Sequence, residues 1–220
     1  MIVLLANGAA PRHPIPRRIL AEADQLVCCD GALAAARVLG REPDFVVGDG
    51  DSISPADRAA LGDRFVHIAE QDTNDLAKAF RFVRTRAPLP SDALRIAILG
   101  ATGLREDHSL GNVFRLVDFT NTVPDTVLYT DTGTFEVVRG ERTFAVRPGE
   151  AVSVFAPVPD TEVSSIGLEW PLGGVSLADL WAGTLNRTTG PSFTLRTDGK
   201  PILVYRPYAT LAAPAPPAAS

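Results

Sequence analysis

Short, unbroken apolar runs alternate with helical stretches through the first 130 residues. Ile2–Ala6, Leu26–Cys29, Phe45–Val47, Phe65–Ile68, Leu94–Leu99 and Thr126–Tyr129 are continuous and rich in β-branched residues, as expected of strands covered on both faces. Two intervening stretches repeat with helical spacing. Leu76, Ala79, Phe80 and Val83 share one face of Asn74–Arg86, and Leu110, Val113, Phe114 and Val117 share one face of His108–Phe119. Ser54-Pro55 reads as an N-cap followed by proline at the first helical position. Strands alternating with helices predict an α/β unit over 1–130, with a mostly parallel, Rossmann-like sheet, flanking helices and right-handed crossovers.

Beyond Thr130 the period changes. Thr134–Arg139, Glu141–Arg147, Ala151–Phe155, Ser192–Thr197 and Ile202–Tyr205 are strand-like, and Arg139-Gly140, Pro148-Gly149 and Asp198-Gly199 mark turns between them. An all-β sandwich over 131–211 is expected, with Leu177–Trp181 as one helical turn and Trp181 in the core. The Ala/Pro-rich segment 212–220 is expected to be a disordered tail.

Composition narrows the function. The 220 residues carry 21 Lys+Arg against 26 Asp+Glu, a net charge of −5, which argues against nucleic acid as a partner. No run approaches the roughly 20 apolar residues of a membrane span, and the first residues lack a secretory pattern, so a soluble cytoplasmic protein is expected. Cys28 and Cys29 lie within an apolar run and read as small buried hydrophobes. The acids are unevenly divided, 17 Asp to 9 Glu, and aspartate favours turns, caps and metal sites over helix interiors.

Ligands of an open parallel sheet bind beyond the carboxyl ends of its strands. Those ends carry Asn7-Gly8-Ala9, Asp30-Gly31, Gly48-Asp49-Gly50-Asp51-Ser52, Gln71-Asp72-Thr73-Asn74-Asp75 and Gly100-Ala101-Thr102-Gly103-Leu104-Arg105-Glu106-Asp107-His108. Asp30, Asp49, Asp51 and Asp75 would crowd carboxylates that repel one another unless a hard cation such as Mg²⁺ joins them. The fifth loop offers the opposite charge: Arg105 and His108 flank a helix start, where phosphate is favoured. His13 and His67 have no supporting context and read as structural or solvated.

Several activities lack their motifs. There is no GxxxxGK[ST], GxGxxG or GxSxG. Asp49-Gly50-Asp51-Ser52-Ile53 resembles the nucleophile loop of haloacid-dehalogenase-type phosphohydrolases, which leaves Asp49 open as a nucleophile, although those enzymes place that loop after their first strand. A non-catalytic nucleotide- or small-molecule-binding module is a further alternative.

Four ordered segments carry a family resemblance: Cys29–Ala32, Pro43–Ser52, Gln71–Ala79 and Gly103–Asn112. Together they are similar to the motifs of the thiamine pyrophosphokinase family, over residues 2–206. Three positions depart from its pattern: Gly50 where phenylalanine is usual, Ala32 where a second glycine is usual, and Asn74 where threonine is frequent.

The resemblance implies an α/β catalytic, nucleotide-binding domain followed by a β-sandwich that binds thiamine and forms a homodimer. The implied reaction moves a diphosphoryl group from ATP to the thiamine hydroxyl with Mg²⁺, releasing AMP. Asp49, Asp51 and Asp75 would hold the metal and orient the hydroxyl, with Asp30 assisting. Arg105, Asp107, His108 and Asn112 would arrange phosphates, with Asp107 orienting Arg105. Gln71 would contact the thiamine pyrimidine, and Asn7, Gly8, Gly31 and Thr102 would line the binding loops. Trp170, which also reads as sandwich core, would come from the second subunit against thiamine, with Asn186 nearby.

Overall fold

The unalternating apolar runs become the middle of a ten-stranded sheet. A computed structural model describes residues 1–208 apart from 88, 89, 91, 92, 174, 178, 180 and 181. Trp181 and the 212–220 tail therefore lie outside the described residues, as does part of the expected turn at 177–181.

Six strands are parallel: β1 (Ile2–Leu5), β2 (Gln25–Cys29), β3 (Phe45–Gly48), β4 (Phe65–His67), β5 (Arg95–Leu99) and β6 (Asp125–Tyr129). Their order across the sheet is β6-β5-β1-β2-β3-β4. Leu5 aligns with both Cys28 and Leu99, Cys29 with Val47, and Gly48 with His67, so the carboxyl ends of these strands form one level rim. The order turns back at β1, between β2 and β5, and the loops leaving β1 and β5 flank a crevice there.

The helices are α1 (Pro14–Ala21), α2 (Leu33–Val38), α3 (Pro55–Leu61), α4 (Asp75–Arg86) and α5 (Glu106–Thr122). The expected cap at Ser54 forms, and Asn74 caps α4 in the same way. Ser54 Oγ accepts from the Asp57 amide at 3.0 Å, and Asn74 Oδ1 accepts from the Ala77 amide at 3.0 Å. Helices α1 and α2 were not expected, being short and poor in bulky apolar residues. His13 caps α1 through Nδ1 and stacks on Tyr208 at 4.3 Å, a structural role as expected. Helices α4 and α5 pack on the sheet, with Phe80 and Phe119 stacked at 4.1 Å.

The second half is not separate from the first sheet. Strand β7 (Gly133–Val138) pairs antiparallel with β6, then come β14 (Ile202–Pro207), β9 (Ala151–Phe155) and β12 (Asn186–Arg187), extending the same sheet. A second sheet of β8 (Glu141–Ala145), β13 (Ser192–Thr197), β10 (Glu162–Ile166) and β11 (Val175–Ser176) covers this extension. Val152, Val154, Ile202 and Val204 form a core with Val163, Phe193 and Leu195 of the smaller sheet. The sandwich thus uses the continuation of the α/β sheet as one wall, and residue 130 marks a change of strand direction within it. Among the described residues, no helix is long and apolar enough to cross a membrane.

One charge network ties the two walls. Glu136 on β7 is buried and accepts from Arg142 of β8 and Arg206 of β14, both at 2.5 Å, and both guanidinium groups lie over the Phe144 ring. Removing its carboxylate leaves the exposed Arg142 and the partly buried Arg206 guanidinium groups facing each other. Glu136→Ala is expected to lower the unfolding free energy by about 2–3 kcal/mol in denaturant titrations. A variant as stable as the parent would contradict a role for this network in joining the sheets.

Candidate active site

The level rim of strand ends carries a cleft of about 420 Å³, lined by loops after β1, β3, β4 and β5 and by the first turns of α4 and α5. Asn7, Gly8, Asp49, Gln71, Asp75, Thr102, Arg105, His108 and Asn112 all line it. Of the expected site residues, Asp30, Gly31, Asp51 and Asp107 sit beside these, and Trp170 and Asn186 stand elsewhere.

The loops hold each other through backbone bonds. The Gly8 amide donates to the Gly100 carbonyl at 2.6 Å, and the Ala9 amide to the Thr102 carbonyl at 2.8 Å, so the β1 and β5 loops are zipped together. Asn112 locks the opposite wall. Its Oδ1 accepts from Asn74 Nδ2 at 2.9 Å and its Nδ2 donates to the Ala101 carbonyl at 2.8 Å. Its amide therefore joins α4, α5 and the β5 loop, where phosphate contact was expected. The same bond gives a reason for asparagine at position 74: it caps α4 and reaches Asn112 at once.

Asp30 anchors the acidic side. Nearly enclosed at 2% exposure, it accepts from the Gly31 amide at 2.7 Å and the Gly50 amide at 3.0 Å, bridging the β2 and β3 loops. Burial raises its pKa, and the Gly50 amide opposes that rise. The backbone packs tightly around it: a Cβ on Gly48 would stand 2.5 Å from Asp30 Cγ. Gly50 has φ +83°, and a Cβ there would meet Arg58 Nη2 at 1.8 Å. Arg58 lies over the Phe65 ring at 4.7 Å. The space a larger residue at 50 would enter is taken by this guanidinium.

Oxygen atoms of Asp30, Asp49 and Asp51 lie within 4.8 Å of one another. Hard carboxylate oxygens converging beside a cleft fit Mg²⁺, which takes one or two carboxylates, waters and phosphate oxygens. Asp75, expected as the third ligand, is outside this group: its Oδ1 accepts from Lys78 Nζ at 3.0 Å. Lys78 Nζ is also 3.7 Å from Asp49 Oδ2. Burial alone would lower the Lys78 pKa, but its pairing with Asp75 and Asp49 outweighs this and raises it, so it is charged. Sequence reasoning missed Lys78. The available signal was its i+3 spacing from Asp75 on the buried face of α4.

Asp49 accepts from Gln71 Nε2 at 2.8 Å and from the Asp51 amide at 3.3 Å. These bonds, with Lys78 nearby, hold its pKa below the usual carboxylate range. Gln71, expected at the thiamine pyrimidine, is thus engaged with Asp49.

Across the cleft, Arg105 pairs bidentately with Asp107, at 3.1 and 2.7 Å, as the expected orienting contact requires. That guanidinium holds the Asp107 pKa down to about 2. Asp107 also accepts from the His108 amide, at 2.9 Å, so one of the first amides of α5 is already occupied. A second cavity of about 480 Å³ adjoins the first at Gly8, Thr102 and Leu104, between the β1 and β5 loops and Tyr129–Thr132.

Trp170 is 54% exposed, which rules out the core reading for it. Its carbonyl accepts from Asn186 Nδ2 at 2.6 Å and its amide donates to Asn186 Oδ1 at 3.2 Å, so the buried Asn186 fixes the segment carrying this aromatic. Neither lines the cleft.

Residues 16–128 match the family described as thiamin pyrophosphokinase, catalytic domain, and residues 133–205 match thiamin pyrophosphokinase, substrate-binding domain. Thiamine pyrophosphokinase 1 of Oryza sativa subsp. japonica is 39% identical over 85 residues, 36% of this chain and 32% of that protein. Thiamine pyrophosphokinase 3 of the same plant is 26% identical over 148 residues, 62% and 55% of the two chains. The matches thus span about a third and about half of the curated relatives' lengths. Among solved structures, thiamine pyrophosphokinase from Bacillus subtilis superposes with TM-score 0.76 at 22% identity, covering 94% of this chain and 98% of that one. The yeast thiamin pyrophosphokinase superposes with TM-score 0.77 at 15% identity, covering 94% and 86%.

The Gln71–Asp49 bond is open to a direct check. Because the Asp49 pKa is depressed, the stabilisation it gives is present above the ordinary aspartate range and is lost as pH falls through the depressed value. Gln71→Leu is expected to move the Asp49 midpoint upward in a carbon-13 NMR titration of side-chain carboxyls. An unmoved midpoint would mean that Gln71 does not hold this carboxylate.

Proposed function

The chain belongs to the thiamin pyrophosphokinase family, and from that premise we propose that it transfers a diphosphoryl group from ATP to the hydroxyl of thiamine, in the cytoplasm. The observation that carries this reading is one cleft with two opposed sides: Asp30, Asp49 and Asp51 at the β2 and β3 ends, and Arg105 and His108 at the start of α5. Such an arrangement suits a polyphosphate held between a cation-binding rim and a guanidinium. The sheet is read as Rossmann-like, with 1–130 as catalytic, nucleotide-binding unit and 131–211 as the thiamine-binding and dimerisation unit.

Asp49 and Asp51, with Asp30 behind them, are the residues that would hold Mg²⁺. When bound, that ion neutralises charge on the phosphates and on the departing nucleotide. Arg105, fixed by Asp107, faces the phosphate oxygens. Asp75 lines the cleft with Oδ1 held by Lys78, and its carboxylate is the group that would orient the thiamine hydroxyl and take its proton. The hydroxyl oxygen forms a bond to the β-phosphorus, the bond from that phosphorus to the α–β bridging oxygen breaks, and AMP leaves. Positioning and charge complementarity carry most of such a step. The second cavity, beyond Gly8 and Thr102, has the size and place for the nucleoside half of ATP.

We assign a homodimer in which Trp170 of each copy covers thiamine bound to the other. An exposed tryptophan held by a buried asparagine supports this, since a cationic thiazolium stacks well on an indole.

Purified protein with ATP, Mg²⁺ and thiamine is expected to release AMP in step with thiamine diphosphate, and Asp49→Asn or Asp75→Asn to lower turnover by about 10²-fold or more. Phosphate release from monoesters without a thiamine requirement would overturn the reading in favour of a phosphohydrolase. Trp170→Ala is expected to raise the thiamine KM by about tenfold with a smaller change in kcat. Full activity from a monomer in sedimentation experiments would contradict the shared site.

A further inference from the structure

Between β6 and β7 lies a carboxylate outside the acidic rim. Asp131 lines the second cavity, of about 480 Å³, which adjoins the cleft at Gly8, Thr102 and Leu104. It is the only acidic group on that lining among the described residues. Its Oδ1 accepts from the amides of Arg12 and His13, at 2.8 and 3.0 Å, where the chain enters α1. Its Oδ2 takes no protein donor among the described residues. Further contacts hold the loop in place. Thr130 Oγ1 accepts from the Thr132 and Gly133 amides at 3.1 and 3.0 Å, the Tyr208 amide donates to the Thr132 carbonyl at 2.9 Å, and the Tyr208 ring stacks on His13. A carboxylate locked through one oxygen, with the other left over, is an acceptor prepared for a donor that the chain does not provide. Apolar sides come from Pro11, Pro16, Tyr129 and Leu104, the last 66% exposed although it borders both cavities.

We propose that Asp131 selects the ribose of the nucleotide donor by accepting a hydrogen bond from a ribose hydroxyl, while the nucleoside covers Leu104. The inference rests on the placement of the nucleoside half of ATP in the second cavity, and adds which part of it is read. A carboxylate repels phosphate, so the polyphosphate belongs on the Arg105 side and the neutral sugar and base belong here. An ionised carboxylate only accepts, and the two ribose hydroxyls are adjacent neutral donors. A bond of this charge-assisted kind contributes about tenfold or more to affinity. A clamp between the β6–β7 loop and α1 would need Oδ1 alone, so the two roles of the side chain fall on different oxygens.

The test is isothermal titration in Mg²⁺, without thiamine, of ATP, 2′-deoxyATP, 3′-deoxyATP, inosine triphosphate and tripolyphosphate. The wild-type protein is expected to bind ATP about tenfold more tightly than at least one of the deoxy nucleotides. Asp131→Asn keeps an oxygen for the Arg12 and His13 amides and replaces the free oxygen by an amide donor. This variant is expected to melt as the wild type does and to bind tripolyphosphate unchanged. It should bind ATP about tenfold more weakly and lose the preference over the deoxy nucleotide. The wild-type comparison needs no variant, so it decides the matter should Asp131→Asn fail to fold. Equal wild-type affinities for ATP and both deoxy nucleotides, or a preference that survives in Asp131→Asn, would overturn this proposal alone. An equal loss of ATP and tripolyphosphate binding in the variant would overturn it in favour of a clamp that only supports the fold. Discrimination against inosine triphosphate alone would overturn it in favour of a contact to the amino group of the base. A wild-type chain that binds tripolyphosphate but not ATP would overturn it together with the nucleoside placement.

Discussion

Carboxylate repulsion at the strand ends is the constraint around which the site is arranged. Asp30, Asp49, Asp51 and Asp75 are delivered to one rim by parallel strands whose carboxyl ends are level. Like charges this close destabilise the fold or protonate unless something opposes them. Three devices within the chain do so. Backbone amides of Gly31 and Gly50 solvate the buried Asp30, Gln71 and the Asp51 amide solvate Asp49, and Lys78 pairs Asp75 with Asp49. Each device also fixes a loop, so the same contacts that make the charges tolerable also set the geometry of the cleft.

The glycines follow from the same constraint. Asp30 can reach the Gly50 amide only because the β3 strand ends on a residue without a side chain: any Cβ at Gly48 would collide with the aspartate. Gly50 then turns with positive φ beside Arg58, which stacks on Phe65. The space beside Gly50 is filled from α3. The opposite wall obeys a different rule. There the loops after β1 and β5 are joined by their own amides and carbonyls, and Asn112 holds them to α4 and α5.

Much of this was legible in the sequence because loops after parallel strands carry function and are short enough to read as motifs. The six parallel strands, the cap at Ser54, and the strands at Ala151–Phe155 and Ser192–Thr197 follow from local periodicity and turn chemistry. What depended on distant pairing was not legible. The joining of β6 to β7 makes one sheet out of two apparent units, and no local pattern encodes which strand lies beside which. Strand β10 was missed because Ser164 and Ser165 interrupt its apolar alternation. Lys78 was missed because a lysine on a helix ordinarily extends into water, and only the tertiary position of Asp49 explains its burial. That Lys78, one turn later, pairs with Asp75 likewise depends on the packing of α4 against the β3 loop rather than on local sequence.

The central claim is that the rim formed by the β2 and β3 loops binds a divalent cation. Paramagnetic broadening of backbone amide signals by Mn²⁺, added in small steps to isotopically labelled protein, addresses it most directly. The account predicts that Gly31, Gly50 and Asp51 lose their signals first, at well below one ion per chain, while Trp170 and Asn186 are untouched. Uniform weak broadening, or first losses around another part of the surface, would contradict it.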